Sequence, residues 1–245
     1  MTRTSNPARI YDDFTGPELD MSRWFFLEYP PGPDGTSWKC EEPSARTRVG
    51  DGRLDIHIER FERAHDQVAI MDNPKHLLLS TETFPVPPGG IATFSMNMAV
   101  TSINATPRDY RDAFASMNVL DMTSGWVFDA CATSDTVFSI HERLPMPGIE
   151  QPFTHVVDQP LSGIAVAPGQ PHDYSVTLDA GRHTVEWRID GTLVYHLQGA
   201  EIPAQVNIGL GIFTLHPIQE GRSTSLRGQG MAASFGPISV AVTSP

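Results

Sequence analysis

The chain has 245 residues, including 20 glycines, 21 prolines and two cysteines, and a formal net charge of −12. This acidic balance argues against nucleic acid or an anionic membrane as a partner, because both require a basic protein face. No apolar run approaches the roughly 18 to 20 residues of a spanning helix, and the first residues lack a signal-peptide core. We therefore expect a cytoplasmic protein with a single domain over residues 1–245, no metal or other cofactor, and two reduced thiols at Cys40 and Cys131.

Short alternations of apolar and polar residues run along the chain between glycine, proline and aspartate turns, and no segment has a convincing 3.6-residue period. Outside the centre of the chain, strands are predicted near Tyr11 and at Leu54–Glu59, Ile91–Met98, Asp173–Leu178, His183–Ile189, Leu193–Leu197, Asn207–Thr214 and Ala233–Val242. Roughly a dozen strands with irregular loops favour a sandwich over a barrel. The prediction is therefore an all-β, antiparallel two-sheet β-sandwich.

The central stretch, Asp112 to Leu144, is predicted to form three consecutive strands. They are Ala113–Leu120, Trp126–Thr133 and Val137–Arg143. Alternate residues of a strand point to opposite faces of the sheet, so one face of these strands carries Ser, Asn, His and Arg beside large apolar groups. Such a face is typical of a substrate-binding sheet, although a solvated outer face has a similar pattern.

The order of several segments resembles a known superfamily. DDFTGPELDMSRW is followed by DGRLDIHIE, GGIATFSMNMAV and HDYSVTLDAGRHTVEWRIDGTLVYH, which together resemble the concanavalin A-like lectin/glucanase superfamily and in particular the family 16 glycoside hydrolases. The tail RGQGMAASFGPISV is similar to uncharacterised bacterial members of this superfamily. The resemblance implies a jelly roll that binds its ligand on the concave sheet.

The same resemblance shows a departure at the catalytic strand. The hydrolases carry E-x-D-x-x-E there, whereas this chain has Trp126, Phe128 and Cys131 at the three acidic positions. A retaining hydrolase needs two carboxyl groups about 5 Å apart, and Asp129 alone does not supply them. Classical retaining hydrolysis is therefore not expected.

Ten residues are predicted to form a ligand site if the strand register follows the family. We assign catalytic roles to Asn118, His141 and Arg143, because an imidazole can move a proton and a guanidinium can bind a carboxylate or enolate. The predicted substrate-binding residues are Trp126, Phe128, Trp38, Ser116, Met117, His155 and His216.

Two alternatives concern the face of the central strand. Trp126 and Phe128 could instead belong to the core between the sheets, and a one-residue slip would bring Asp129 and Cys131 to the cleft. His155 could also pair with Asp158 as an acid and base.

Two functions remain open on the sequence. The first is an enzyme that folds an apolar or mixed small molecule, such as a polyketide-like chain, and promotes cofactor-free cyclisation or isomerisation. The alternative is a lectin-like module that stacks sugar on Trp38 or Trp126, or a glycoside hydrolase relative without the catalytic acids. An enclosed apolar cleft would favour the enzyme, and an open groove with exposed tryptophan faces would favour the lectin.

Overall fold

The regular structure is almost entirely β-strand. A computed structural model describes residues 4–5, 7–29, 31, 35, 37–64 and 73–245. The first eleven strands are β1 Thr4–Ser5, β2 Arg9–Asp12, β3 Trp24–Phe26, β4 Glu28–Tyr29, β5 Trp38–Lys39, β6 Arg46–Gly50, β7 Arg53–Ile58, β8 Asn73–Ser80, β9 Phe84–Pro85, β10 Ile91–Ile103 and β11 Phe114–Asp121. The others are β12 Trp126–Ala132, β13 Val137–Arg143, β14 Phe153–Asp158, β15 Pro171–Asp179, β16 Thr184–Ile189, β17 Thr192–Gln198, β18 Gln205–Thr214, β19 Ile218–Gln219, β20 Arg222–Ser223, β21 Gly230–Phe235 and β22 Ile238–Ser244.

Helix is limited, within the described ranges, to one 3₁₀ turn at Pro160–Ser162. It is far too short to cross a membrane, and no longer apolar helix occurs among those residues.

Two large antiparallel sheets contain most of the strands. The front sheet has the order β14-β13-β12-β11-β18-β8-β3, with β9 beside β18. The back sheet has the order β17-β16-β15-β10-β21-β7-β6, and β22 pairs with β10 and also with β1 and β2. The predicted all-β class and the two-sheet sandwich are confirmed.

The main core lies between the two sheets. On the back sheet the alternating buried residues include Ile56 of β7, Phe94 of β10 and Trp187 of β16, all at most 1% exposed. They meet the inward residues of the front sheet, such as Met117 and Leu210. Because burying one large apolar side chain contributes about 1.5–3 kcal/mol, this alternation is sufficient to hold the sheets together.

The outer face of the front sheet carries a second apolar cluster, which we call the outer cluster. Its buried members are Cys40, Leu77, Leu79, Phe114, Leu120, Val127, Cys131, Phe138, Ile140, Phe213 and Leu215. Residues of the neighbouring loops and of β4 and β5 pack over it, including Leu27, Tyr29 and Trp38. The central strands of the front sheet are therefore buried on both faces.

One glycine of β18 makes close packing in the outer cluster possible. A Cβ atom added to Gly211 would lie 2.0 Å from the ring of Phe213 and 3.1 Å from Oδ1 of Asn118. The ring of Phe213 instead lies over the bare glycine and stacks on Phe114, with a centroid distance of 5.2 Å.

Candidate functional site

Five residues gather on the inner face of the front sheet at its β14 edge, and we call them the edge cluster. They are Trp126, His141, Arg143, Phe153 and His155. The register places Trp126 opposite Arg143 and His141 opposite His155. The Trp126 and His141 rings lie nearly parallel, 5.5 Å apart, and the Arg143 guanidinium is 4.3 Å from the Trp126 ring centroid. Phe153 contacts both rings edge-on, 5.9 Å from Trp126 and 5.0 Å from His141.

A groove of about 720 Å³, open to solvent, runs along this cluster. Its lining combines Trp126, Arg143, Phe153 and His155 with the connection formed by residues 148–152. These residues are part of the connection between β13 and β14, residues 144–152. The glycine and prolines of that connection end one strand before the next begins. The volume is in the usual range for a site that binds a small organic molecule. We call this feature the edge groove.

Three nitrogen atoms of the edge cluster are buried and have no hydrogen-bond partner in the part of the chain that the structure describes. They are Nε1 of Trp126, Nδ1 of His141 and Nε of Arg143. A buried polar atom without a partner costs about 1–3 kcal/mol, so three in one place require an explanation. Because two of them are obligatory donors, a ligand that presents acceptor oxygens would satisfy them.

The protonation state of His141 follows from its surroundings. Burial, with a smaller contribution from the neighbouring charge of His155, lowers the pKa of His141 from 6.5 to about 4. The imidazole is therefore neutral at pH 7, with one nitrogen able to accept a proton and the other to donate one.

The prediction that Trp126 and Phe128 line the outer, concave face is wrong. Both belong to the core between the sheets, and Phe128 is 0% exposed, with its ring 6.1 Å from that of Trp187. Trp126 is 9% exposed and also borders the edge groove. His141, Arg143 and Met117 share this inner face. Met117 lies in the core between the sheets, two strands away from His141.

The alternative register, shifted by one residue, correctly places Asp129 and Cys131 on the outer face. Ser116 lies opposite Cys131, and Asn118 lies opposite Asp129, so these four residues share the outer face. The predicted grouping of Ser116 and Asn118 with Trp126 is therefore wrong, because the two sets are on opposite sides of the sheet. The Ser116 hydroxyl donates to Oδ1 of Asn118 at 3.2 Å, and both residues are buried.

A second carboxyl group, Glu142, joins Asp129 on this outer face. It lies on β13, opposite Val127, and its Oε1 accepts a hydrogen bond from the Thr154 hydroxyl at 2.5 Å. Burial raises the pKa of Glu142 well above its ordinary value. Asp129 and Glu142 are each only 5% exposed, so a polymeric substrate has no open path to either carboxyl.

Trp38, on β5, packs against the outer cluster on the front sheet. The Arg63 guanidinium is 4.1 Å from the centroid of its ring. Trp38 is therefore on the opposite side of the sheet from the edge groove.

His216 is a buried structural residue. Its Nε2 donates to Oδ1 of Asp112 at 2.6 Å, and its Nδ1 accepts from Arg227 at 3.3 Å. Asp109 lies nearby, and the side chains of Asp109, Asp112 and His216 have possible metal-ligand atoms within 4.8 Å of one another. However, Arg111 binds both oxygens of Asp109, and these hydrogen bonds occupy the atoms that a metal ion would need.

His155 joins the edge cluster, but it does not pair with Asp158. The two residues are three positions apart on β14, so they point to opposite faces, and His155 lies beside His141 with ring centroids 6.0 Å apart. The sequence indicated a long loop with one or two short strands over Leu144 to Pro171, but it gave no bounds for β14 and did not single out Phe153. The run Phe153-Thr-His-Val-Val was the available signal, since it is rich in β-forming residues.

The fold is that of a concanavalin A-like jelly roll, as in bacterial β-glucanases. An endo-1,3-β-glucanase from Streptomyces sioyaensis is 12% identical with a TM-score of 0.60, over 99% of this chain and 97% of that chain. LamA from Z. galactanivorans, solved as a variant in complex with laminaritriose and laminaritetraose, is 14% identical with a TM-score of 0.60, over 97% and 98% of the two chains. The β-glucanase of Bacillus licheniformis is 11% identical with a TM-score of 0.56, over all of both chains.

At the level of sequence, the chain belongs to a family of unknown function, DUF6081, whose model matches residues 11–244. No curated protein matches the sequence. The structural likeness establishes the shared fold, and the resemblance noted from the sequence is confirmed at that level.

Proposed function

We propose that the protein binds a small molecule with an apolar, planar body and acceptor oxygens in the edge groove. The observation that carries this proposal is an aromatic-lined groove whose residues Trp126 and Arg143 each have a buried nitrogen atom without a hydrogen-bond partner among the described residues. A third such nitrogen, Nδ1 of His141, belongs to the ring that stacks on Trp126. Trp126 and Phe153 would contact the apolar body, and Arg143 and His141 would bind the oxygens. A polyketide-like chain has this chemistry.

The same groups can promote cofactor-free isomerisation or cyclisation. With hydrogen on Nε2, Nδ1 of His141 accepts a proton from a carbon next to a ligand carbonyl, and the C–H electron pair moves onto the oxygen. Arg143 stabilises the resulting enolate. In cyclisation, the enolate carbon attacks a second carbonyl carbon of the ligand, the C=O π electrons move onto its oxygen, and that oxygen takes the proton from His141. In isomerisation, the enolate instead takes the proton back at another carbon. The low pKa of His141 makes the imidazolium a strong acid, which favours this return of the proton.

We also propose that the protein does not hydrolyse β-glucans. The support is the enclosure of Asp129 and Glu142 beneath the outer cluster and the absence of the paired acids from β12. Release of reducing sugar from laminarin or lichenan, abolished by Asp129→Asn, would overturn this statement. We further propose a cytoplasmic location, which two buried thiols support.

A carbohydrate ligand is the second candidate. It is favoured by the fold shared with glucanases, one of which was solved with laminaritriose and laminaritetraose. In this case the sugar would have to reach Trp126 or Trp38, whose rings are largely covered by other side chains. The comparisons support this candidate more directly than they support a cyclase or isomerase, and we propose it second only because of the chemistry of the groove.

Titration with N-phenyl-1-naphthylamine, a neutral dye that fluoresces in apolar sites, tests the proposal. Phe153→Ala should weaken dye binding at least about tenfold, because the ring forms a wall of the groove. Phe25→Ala is the matched control, since Phe25 is an exposed aromatic residue on the same sheet. Equal binding by wild type and Phe153→Ala would overturn the proposal, and displacement of the dye by laminaritriose would favour carbohydrate.

A further inference from the structure

The guanidinium of Arg143 is poorly satisfied for a buried charge. Its side chain is 18% exposed, and its only ion-pair partner among the described residues is Glu201. The distance from NH1 of Arg143 to Oε2 of Glu201 is 3.5 Å, longer than the roughly 2.7–2.9 Å of a strong charge-assisted hydrogen bond. A guanidinium offers five N–H donors, and the described residues provide no partner for the buried Nε of Arg143.

Glu201 reaches Arg143 from a connection between the two sheets. It lies between β17, the edge strand of the back sheet, and β18, and its side chain is 69% exposed. An exposed carboxylate held by one long contact is easily displaced, because solvent-exposed ion pairs are weak. Arg143, by contrast, is fixed by its stacking on Trp126. The arrangement is a rigid cation with a loosely held carboxylate beside it.

We propose that Arg143 is the anion-binding residue of the edge groove and that Glu201 is a specificity-determining residue that an anionic ligand must displace. The ligand class is then an apolar or aromatic acid whose oxyanion binds the guanidinium through two parallel hydrogen bonds. This inference rests on the proposed function and names its substrate class. A neutral ligand without acceptor oxygens would leave Glu201 in place and gain nothing from Arg143.

Two dyes with the same aromatic body separate the anion site from the apolar groove. 1-Anilinonaphthalene-8-sulfonate carries a sulfonate, and N-phenyl-1-naphthylamine is its neutral counterpart. Arg143→Gln should weaken binding of the sulfonate at least about tenfold more than it weakens binding of the neutral dye, which contacts only the apolar part of the groove. Glu201→Gln should tighten sulfonate binding about 2- to 5-fold, the range expected from loss of an exposed competing carboxylate, and leave the neutral dye unchanged.

Glu18→Gln is the matched control, because it makes the same change in net charge at a remote exposed position. If Arg143→Gln weakens both dyes equally while Phe153→Ala still weakens them, the anion site is refuted and the groove remains. If Phe153→Ala affects neither dye, the groove itself is refuted. If Glu201→Gln changes sulfonate binding no more than Glu18→Gln does, Glu201 has no role in specificity. Competition by 1-naphthoate rather than by inorganic phosphate would identify the ligand as a carboxylic acid.

Discussion

The loss of stability in Trp126→Ala measures how much the Trp126 side chain contributes to the core between the sheets. The side chain is 9% exposed, packs against His141 and Phe153, and lies beneath the Arg143 guanidinium. Removal of a buried aromatic side chain costs about 3–5 kcal/mol. Because water from the edge groove can fill part of the space, we expect the lower end, about 3 kcal/mol. For a chain of this length that corresponds to a fall in Tm of about 6–12 °C.

Phe128→Ala is the reference for this measurement. Phe128 is 0% exposed and has no contact with the groove, so its truncation should cost the upper end of the range, about 4–5 kcal/mol. Urea unfolding followed by circular dichroism gives both values without relying on tryptophan fluorescence. A loss below about 1 kcal/mol for Trp126→Ala, with an unchanged denaturant slope, would refute the placement of this ring between the sheets.

Three further predictions concern stability. Both ring nitrogens of His76 are buried without a hydrogen-bond partner in the described residues, so His76→Leu should raise the free energy of unfolding by about 1–3 kcal/mol at pH 7; an unchanged or lower Tm would contradict this. Burial lowers the pKa of His76 and of His141 to about 4, compared with a pKa of 6.5 in the unfolded chain. The stability is therefore intact above pH 6.5 and falls as the pH drops from 6.5 to about 4. The loss is up to about 3 kcal/mol per histidine. Urea midpoints at pH 7 and pH 5 test this, and a higher midpoint at pH 5 would be inconsistent with it. Gly211→Ala should lower the free energy of unfolding by about 1–3 kcal/mol, because the new Cβ would overlap the Phe213 ring. Recovery of stability in the double variant with Phe213→Leu would locate the clash at that ring. A single variant as stable as the wild type would exclude the clash.

The strands could be predicted from the sequence because alternation and turn residues are local signals. The central strands were predicted at Ala113–Leu120, Trp126–Thr133 and Val137–Arg143, and each boundary lies within one residue of the structure. The strand Phe153–Asp158 was expected only as one of one or two short strands in a long loop, because the prolines and glycines around it obscure its bounds.

The candidate site could be predicted only in part. Alternation along β13 correctly placed His141 and Arg143 together, but the face of a strand relative to its neighbour depends on the register across the turn. All residues of β12 are buried, so Trp126 and Asp129 give no contrast between an inner and an outer face. The pairing with Glu201 could not be predicted either, because Glu201 is 58 residues away in sequence, in the connection between β17 and β18.

The outer cluster limits how this chain could be redesigned as a glucanase. Restoring an acid on the outer face, for example by Val127→Glu, would place a carboxylate at a position that is 4% exposed and surrounded by apolar side chains. The new group would stay protonated or unfold the front sheet, because an unpaired buried charge costs several kcal/mol. A designer would have to remove the covering segment around Trp38 before adding any acid. New chemistry is more easily introduced at the edge groove, where Phe153 and His155 already meet solvent.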